Sequence, residues 1–481
     1  MPKLILLWTD LVVLALLLGL AWYVWHLRRL PNLRANWKRV FQNAPALCSA
    51  VIITLGLAAT VLDSVHYRPR LAAAGQGEQA VAYDTRTLSL FDAMLSRLSD
   101  MRESSYSKPL AYQSFTKDSV TVGGEVRRVN PRLEHAGALL KNAERDWLAD
   151  LLARTAIGLA LGAVVAVALS AALIAVVARA QRLGFTETAG HIWRRETDIP
   201  WRAALITVSA VALIAGPVGV LMQQYHVLGT DRTGNDVLLQ SLKSIRTAFV
   251  IGTLATLATL PLAVVLGIMA GYFKGWVDEV IQYLYTMLSS VPNVLLIAAC
   301  VLMVQVFFDK HPELFETGAE RSDLRLFVLC VILGLTGWAG LCRLLRGETL
   351  KLRELEYVQA ANAFGVSHWR IMARHIFPNV VHLMLITTVL DFCGLILYEA
   401  VLSYVGVGVD PSMNSFGGMI NLARTEMSRD PVVWWSFASA FTFMVTLVLA
   451  ANLFADGVQD AFDPRTRVFR PRLGLKKKVV V

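Results

Sequence analysis

Apolar residues gather along this chain in blocks of roughly 20, separated by polar stretches, without the strict alternation that marks strands. Nine such blocks stand at about 4–25, 44–64, 151–178, 203–222, 247–271, 281–308, 326–345, 381–404 and 433–455. A helix rises 1.5 Å per residue, so about 20 apolar residues cross the roughly 30 Å hydrocarbon layer of a bilayer. Each block is therefore predicted to be a transmembrane helix; a barrel would show alternation over segments of about ten residues. Between the second and third blocks the pattern changes. Leu88, Phe91, Leu95, Leu98 and Met101 recur at helical spacing, which predicts one amphipathic helix, and Gly123-Gly124 between the alternating positions of 119–129 predicts a hairpin.

Composition agrees with the pattern. Of 481 residues, 55% are hydrophobic and only 17% charged, with a mean hydropathy of +0.51, above the 45–50% apolar share usual for soluble domains. The net charge of +10 would suit a nucleic-acid binder, but its distribution argues against one. Arg28, Arg29, Arg34, Lys38 and Arg39 crowd residues 26–43; five arginines lie in 179–202; and the tail carries Arg465, Arg467, Arg470, Arg472 and Lys476 to Lys478. Such clusters alternate between blocks as the positive-inside rule requires. With them in the cytoplasm, the amino terminus and the segment 65–150 fall outside. The first block runs on through Trp22, Tyr23 and Trp25 to Arg28-Arg29 with no small-x-small cleavage site, which reads as an uncleaved anchor. The expected fold class is all-α polytopic, with about nine transmembrane helices and a small extracytoplasmic α+β insertion. Cys48, Cys300, Cys330, Cys342 and Cys393 lie dispersed in apolar segments and read as small buried hydrophobes.

Few polar groups stand out. Asp391 and Glu399 lie eight apart inside one apolar block, roughly on one face, and carboxylates at membrane depth usually line a water path or a partner. In LGTDRTGNDV (228–237), Gly229, Asp231, Gly234 and Asp236 suggest a tight turn capping the next helix. Pro217, Pro261 and Pro292 suggest kinks. His368, His375 and His382 share only a loose face, and a solvated or partner-facing role outweighs a metal site. No Gly-Lys pair exists for a phosphate-binding loop, and no cofactor or catalytic constellation is evident.

The most specific stretch is EYVQAANAFGVSHWRIMARHIFPNV (356–380). It resembles the cytoplasmic EAA loop of permease subunits in ATP-binding-cassette importers, with Gln359, Ala360, Ala361, Gly365 and Pro378 at the motif positions. Gln359 stands where that family carries glutamate, keeping hydrogen-bonding capacity but dropping the charge. Further stretches, LGTDRTGNDV, GYFKGWVDEVIQYLYTMLSSVP (271–292), LYEAVLSYVGVGVDPS (397–412) and ANLFADGVQDAFDPR (451–465), extend the resemblance to the peptide and nickel branch over some 240 residues. Asn235 stands where that branch usually has arginine. The resemblance implies a non-catalytic subunit of the bacterial cytoplasmic membrane that moves peptides or similar small solutes by alternating access. It also implies three kinds of partner: two ATPase subunits, a second permease in a heterodimer, and an extracytoplasmic solute-binding protein. Glu356, Tyr357, Gln359, Ala360, Ala361, Gly365, Arg370 and Pro378 would form the ATPase-coupling loop, the 228–237 turn would lie near the outer gate, and Glu399 matches a family position.

Four regions are expected: an anchor and basic loop (1–43), a membrane helix with an insertion and an extra helix pair (44–222), a core (223–467) with the coupling loop at 346–380, and a basic tail (468–481). WKRVFQNAPAL (37–47) resembles the entry to the family's first helix, which makes 65–222 an insertion. The alternative takes the block at 203–222 as that first helix and everything before it as an extension. Competing functions are an ion-coupled secondary transporter or channel using Asp391 and Glu399, and a membrane enzyme.

Overall fold

The computed structural model describes residues 3–70, 83–84, 87–122 and 125–462. The turn residues Gly123 and Gly124, part of the inserted segment and the basic tail lie outside the described residues. Among the described residues, eight helices are long and apolar enough to cross a membrane, and nine when one bent pair is taken as a single span.

In chain order, a short strand β1 (Lys3–Ile5) precedes α1 (Trp8–Leu27), α2 (Pro31–Gln42) and α3 (Ala44–Asp63). The inserted segment holds β2 (His66–Arg68), β3 (Leu88–Ser89), α4 (Leu90–Met94), α5 (Ser96–Asp100), β4 (Asp118–Val122) and β5 (Glu125–Val129). Strands β1, β2 and β3 form one antiparallel sheet in that order, and β4 pairs with β5 from Asp118↔Val129 to Val122↔Glu125. Next come α6 (Ala143–Gln181), α7 (Phe185–Trp193), α8 (Trp201–Leu221), α9 (Val237–Phe273), α10 (Gly275–Ser290) and α11 (Asn293–Lys310). The chain closes with α12 (Gly318–Gly337), α13 (Ala339–Arg353), α14 (Glu356–Ala363), α15 (His368–Ile371), α16 (Phe377–Val405), α17 (Phe416–Glu426) and α18 (Trp435–Phe462).

Helix α9 is the hub. It packs against α3, α12, α13, α16 and α18, and its apolar residues join three of the buried clusters. Helix α3 is wedged into this core, with Gly56 against the Phe249 ring and Ala46 against Gly457 of α18. Helix α8 instead packs on α3 and, far more extensively, on α6. A Cβ on Gly158 would come within 2.5 Å of the Pro217 backbone, and one on Gly162 within 2.6 Å of the Ala212 carbonyl. Small residues four apart on both helices thus let the two backbones touch, the usual glue of helix pairs in lipid.

Three expectations needed correction. The block 281–308 is not one helix: Pro292 lacks an amide proton and pushes Val291 to extended backbone (φ −91°, ψ 134°), so α10 and α11 separate there. The block 326–345 is the middle of α12 and α13, bent by 40° at Trp338. The amphipathic helix at 88–101 is two five-residue helices broken at Leu95. Ser89 and Asp92 cap α4 reciprocally, and the break turns Leu98 and Met101 inward while Leu90 and Met94 remain exposed.

Candidate functional site

The stretch 356–380 folds as a short helix, a turn and a second short helix. Glu356 to Ala363 form α14, and Gly365 then takes φ +73°, in the left-handed region that glycine enters without strain. Helix α15 runs through a π turn, Met372–Ile376, into α16, whose first turn holds the exposed Pro378. Val358, Ile371, Met372 and Ile376 are buried in a cluster with Tyr272 and Ala270 of α9 and Leu345 of α13. The root of the unit is therefore fixed to the core while its tip stands free. Glu356, Tyr357, Gln359, Ala360, Gly365 and Arg370 are exposed, and Ala361 is half-buried.

Polar bonds fasten the flank. The Tyr272 hydroxyl lies 2.8 Å from His368 Nδ1, Arg353 donates to the Tyr272 carbonyl at 2.6 Å, and Lys274 pairs with Glu354 at 2.8 Å. Gln359 donates to the Glu354 carbonyl at 3.2 Å, so its amide is engaged within the chain rather than buried. Between α14 and the end of α9 lies a polar cleft of about 380 Å³ lined by Tyr272, Arg353, Glu354, Gln359 and His368. Two residues escaped the sequence reading: Phe364, 87% exposed, and Trp369, 65% exposed. The signal that could have found them is an aromatic directly before the turn glycine and a second within a polar loop.

The 228–237 turn is built as its residues suggest. Gly229 and Gly234 have φ +74° and +78°. A Cβ on Gly234 would run into the Glu103 carbonyl, and one on Gly229 would meet the Ser107 carbonyl at 2.5 Å. Asp231 accepts from the Thr233 and Asn235 amides at 2.8 and 2.9 Å, and Asp236 accepts from the Leu239 amide at 3.0 Å. That cap starts α9 ten residues before the apolar block at 247.

The turn is also bolted to the inserted segment by groups that the sequence did not single out. Buried His226 meets Asp236 at 2.7 Å through Nδ1 and lies 3.5 Å from Glu103 through Nε2, an ion contact rather than a hydrogen bond. Glu103 in turn accepts from the amides of Glu134, His135 and Ala136. Burial alone would lower the His226 pKa, but Asp236 and Glu103 outweigh it and raise it to about 9. Burial would raise Glu103, yet His226 and the three amides bring it down to about 2.

Asp391 and Glu399 do not converge. Eight residues on a helix amount to about 80° of rotation, and the structure leaves Asp391 exposed while Glu399 is 3% exposed, accepting from Ser403 at 2.6 Å with Gly417 beside it. A concentrated cluster of buried charge lies elsewhere, where the amino-terminal parts of α1, α9 and α12 meet β2. Arg246 of α9 donates to Asp10 and Thr9 of α1 at 2.6 and 2.9 Å and lies 3.7 Å from Asp323 of α12, while His66 meets Asp10 at 2.7 Å. All of Asp10, Arg246 and Asp323 are buried.

The family described as "Binding-protein-dependent transport system inner membrane component" matches residues 263–468. The oligopeptide transport system permease protein OppC of Mycobacterium tuberculosis is 31% identical over 245 residues, 51% of this chain and 78% of that protein. The glutathione transport system permease protein GsiD of Pectobacterium atrosepticum is 32% identical over 242 residues, 50% of this chain and 73% of its own. A solved chain of the MetNI methionine ABC transporter aligns over 47% of this chain and 96% of its own, at 15% identity and a TM-score of 0.36. The peripheral pair α6 and α8 lies outside the family match, whereas the 356–380 unit lies within it. The chain is a multi-pass protein of the cytoplasmic membrane and belongs to the family of inner membrane components of binding-protein-dependent transport systems.

Proposed function

We propose that this chain is the transmembrane permease subunit of an ATP-binding-cassette importer for peptides or similar small solutes, alternating between outward and inward access as separate subunits hydrolyse ATP. The observation that carries the proposal is the 356–380 unit, which presents small Ala360 and Ala361 beside exposed Phe364 and Trp369 on a root buried against α9 and α13. Large exposed aromatics on a polar loop mark a protein interface, and small side chains allow a helix to sit deep in a groove. Force applied at α14 would reach α9 through Val358, Ile371 and Ile376. The partners in this reading are two ATPase subunits at the loop, a second permease in a heterodimer, and a solute-binding protein on the opposite face, where the 228–237 turn lies. Helix α3, wedged between α9 and α18, serves as the first core helix, so that residues 65–222 are an insertion that caps the outer turn. An ion-coupled reading draws no support from Asp391 and Glu399, which sit in different surroundings.

The test is reconstitution of the subunits in vesicles. Solute and binding protein together should stimulate ATP hydrolysis and uptake. Uptake that follows an ion gradient and ignores ATP would overturn the proposal.

A further inference from the structure

Helix α7 lies between the end of α6 and the start of α8. Its Ile192 is 1% exposed, whereas Phe185 and Trp193 are 48% and 67% exposed. A short helix with one face in the protein and aromatics on the other fits the membrane–water boundary. Beyond it the chain turns through Arg195 and enters α8, which has no side-chain cap. A cavity of about 450 Å³ opens between this turn and the junction of α2 with α3, lined by Gln42, Arg195, Thr197, Asp198, Arg202 and Ile206, among others.

Two cations at this cavity lack a carboxylate partner among the described residues. Its nearby acids are already engaged: Asp198 with Lys38 at 2.6 Å, Glu196 with His191 at 2.7 Å, and Glu187 with His191 at 3.8 Å. The Arg202 guanidinium lies 4.7 Å over the Trp193 ring, and its buried Nε has no acceptor among the described residues. Arg195 is exposed, and no acid pairs with its side chain among the described residues. Below these two cations the wall becomes apolar with Ile192, Ala203 and Ile206, and Ile206 and Ile214 continue outward along α8 at 57% and 69% exposed. The uncapped start of α8 adds its own partial positive charge.

We propose that this cavity binds the headgroup of an anionic phospholipid, the phosphate against Arg195 and Arg202 and the first acyl carbons along Ile206. Inorganic phosphate would satisfy the cations but leave the apolar wall unused, which favours a lipid. The inference goes beyond transport and does not depend on which solute is carried. A bound lipid would fasten the peripheral α6–α8 pair to α2 and α3 without touching the α9 hub.

The test is native mass spectrometry of the purified chain in detergent, titrated with phosphatidylglycerol, with phosphatidylcholine of the same acyl chains, and with inorganic phosphate. Phosphatidylglycerol should bind preferentially, and the Arg195→Gln/Arg202→Gln double variant should bind it roughly thirtyfold more weakly, given two lost charges. Because Arg202 also packs on Trp193, two variants serve as controls for folding. Arg195→Gln alone should weaken binding roughly fivefold, and Ile206→Trp should lower it with both cations intact. Equal retention of phosphatidylglycerol by wild type and both arginine variants would overturn the site. Equal binding of phosphatidylcholine, or displacement by inorganic phosphate at matching concentration, would overturn the lipid assignment.

Discussion

His226 is one of several side chains that join the outer turn to the inserted segment, and its titration makes the junction pH-dependent. Its pKa of about 9 lies above the value near 6.5 of an unfolded chain, so its contribution is complete below pH 6.5 and is lost as pH rises through about 9. Glu103, at about 2, contributes fully above its ordinary 4.5 and loses that contribution as pH falls toward 2. Both are in full effect between about pH 4.5 and 6.5. Unfolding of the purified protein should show a plateau there and a decline toward pH 9, on the order of 3 kcal/mol in all. His226→Gln should be less stable at pH 6 and should flatten the alkaline decline; an unchanged slope would refute the assignment. This cluster was not legible in the sequence, because Glu103 reaches His226 only when the inserted segment folds onto the turn, whereas Asp236 lies within the turn itself. Gly229, Gly234, Gly365 and Asp236 were legible, since positive φ and helix capping are local requirements that a few neighbouring residues reveal.

Elements were readable where the membrane dictates them and misread where packing does. Among the described residues the nine apolar blocks map onto eight spanning helices and the bent α12–α13 pair, with the block at 281–308 reduced to α11, because a hydrocarbon layer demands length and apolarity in one run. Their ends were displaced wherever polar turns of a helix are covered by other protein, as at the first ten residues of α9. The α10–α11 break was signalled by Pro292, but apolarity on both sides masked it. The close approach of α6 and α8 was not read at all, although its glycines recur at a spacing of four. It predicts that Gly158→Leu, whose side chain would strike the Pro217 backbone, destabilises the pair by about 1–3 kcal/mol. Ser170 and Ser209 face each other at 3.5 Å. Cysteines at these two positions should cross-link readily in an otherwise cysteine-free chain and far less once Gly158→Leu is added. Unaltered cross-linking would show that the backbones do not touch.

In the proposed topology the inserted segment and the 228–237 turn lie on one side of the membrane and α14 on the other. A cysteine at Ser99 of α5 should react with an impermeant thiol reagent in intact cells, and one at Ser367 beside α15 only after permeabilisation. Reversed labelling would invert the topology. The proposed docking of an ATPase at α14 is tested most directly by Ala360→Trp. Ala360 is exposed in the chain itself, so the larger side chain leaves the fold intact and interferes only with a partner. The measurement is the amount of the ATPase subunit that co-purifies with the tagged chain at equal membrane abundance. Wild type should retain it and Ala360→Trp should retain at least tenfold less, as an overpacked contact costing about 1–3 kcal/mol requires. An ATPase that co-purifies equally with both, or with neither, would rule out docking at α14.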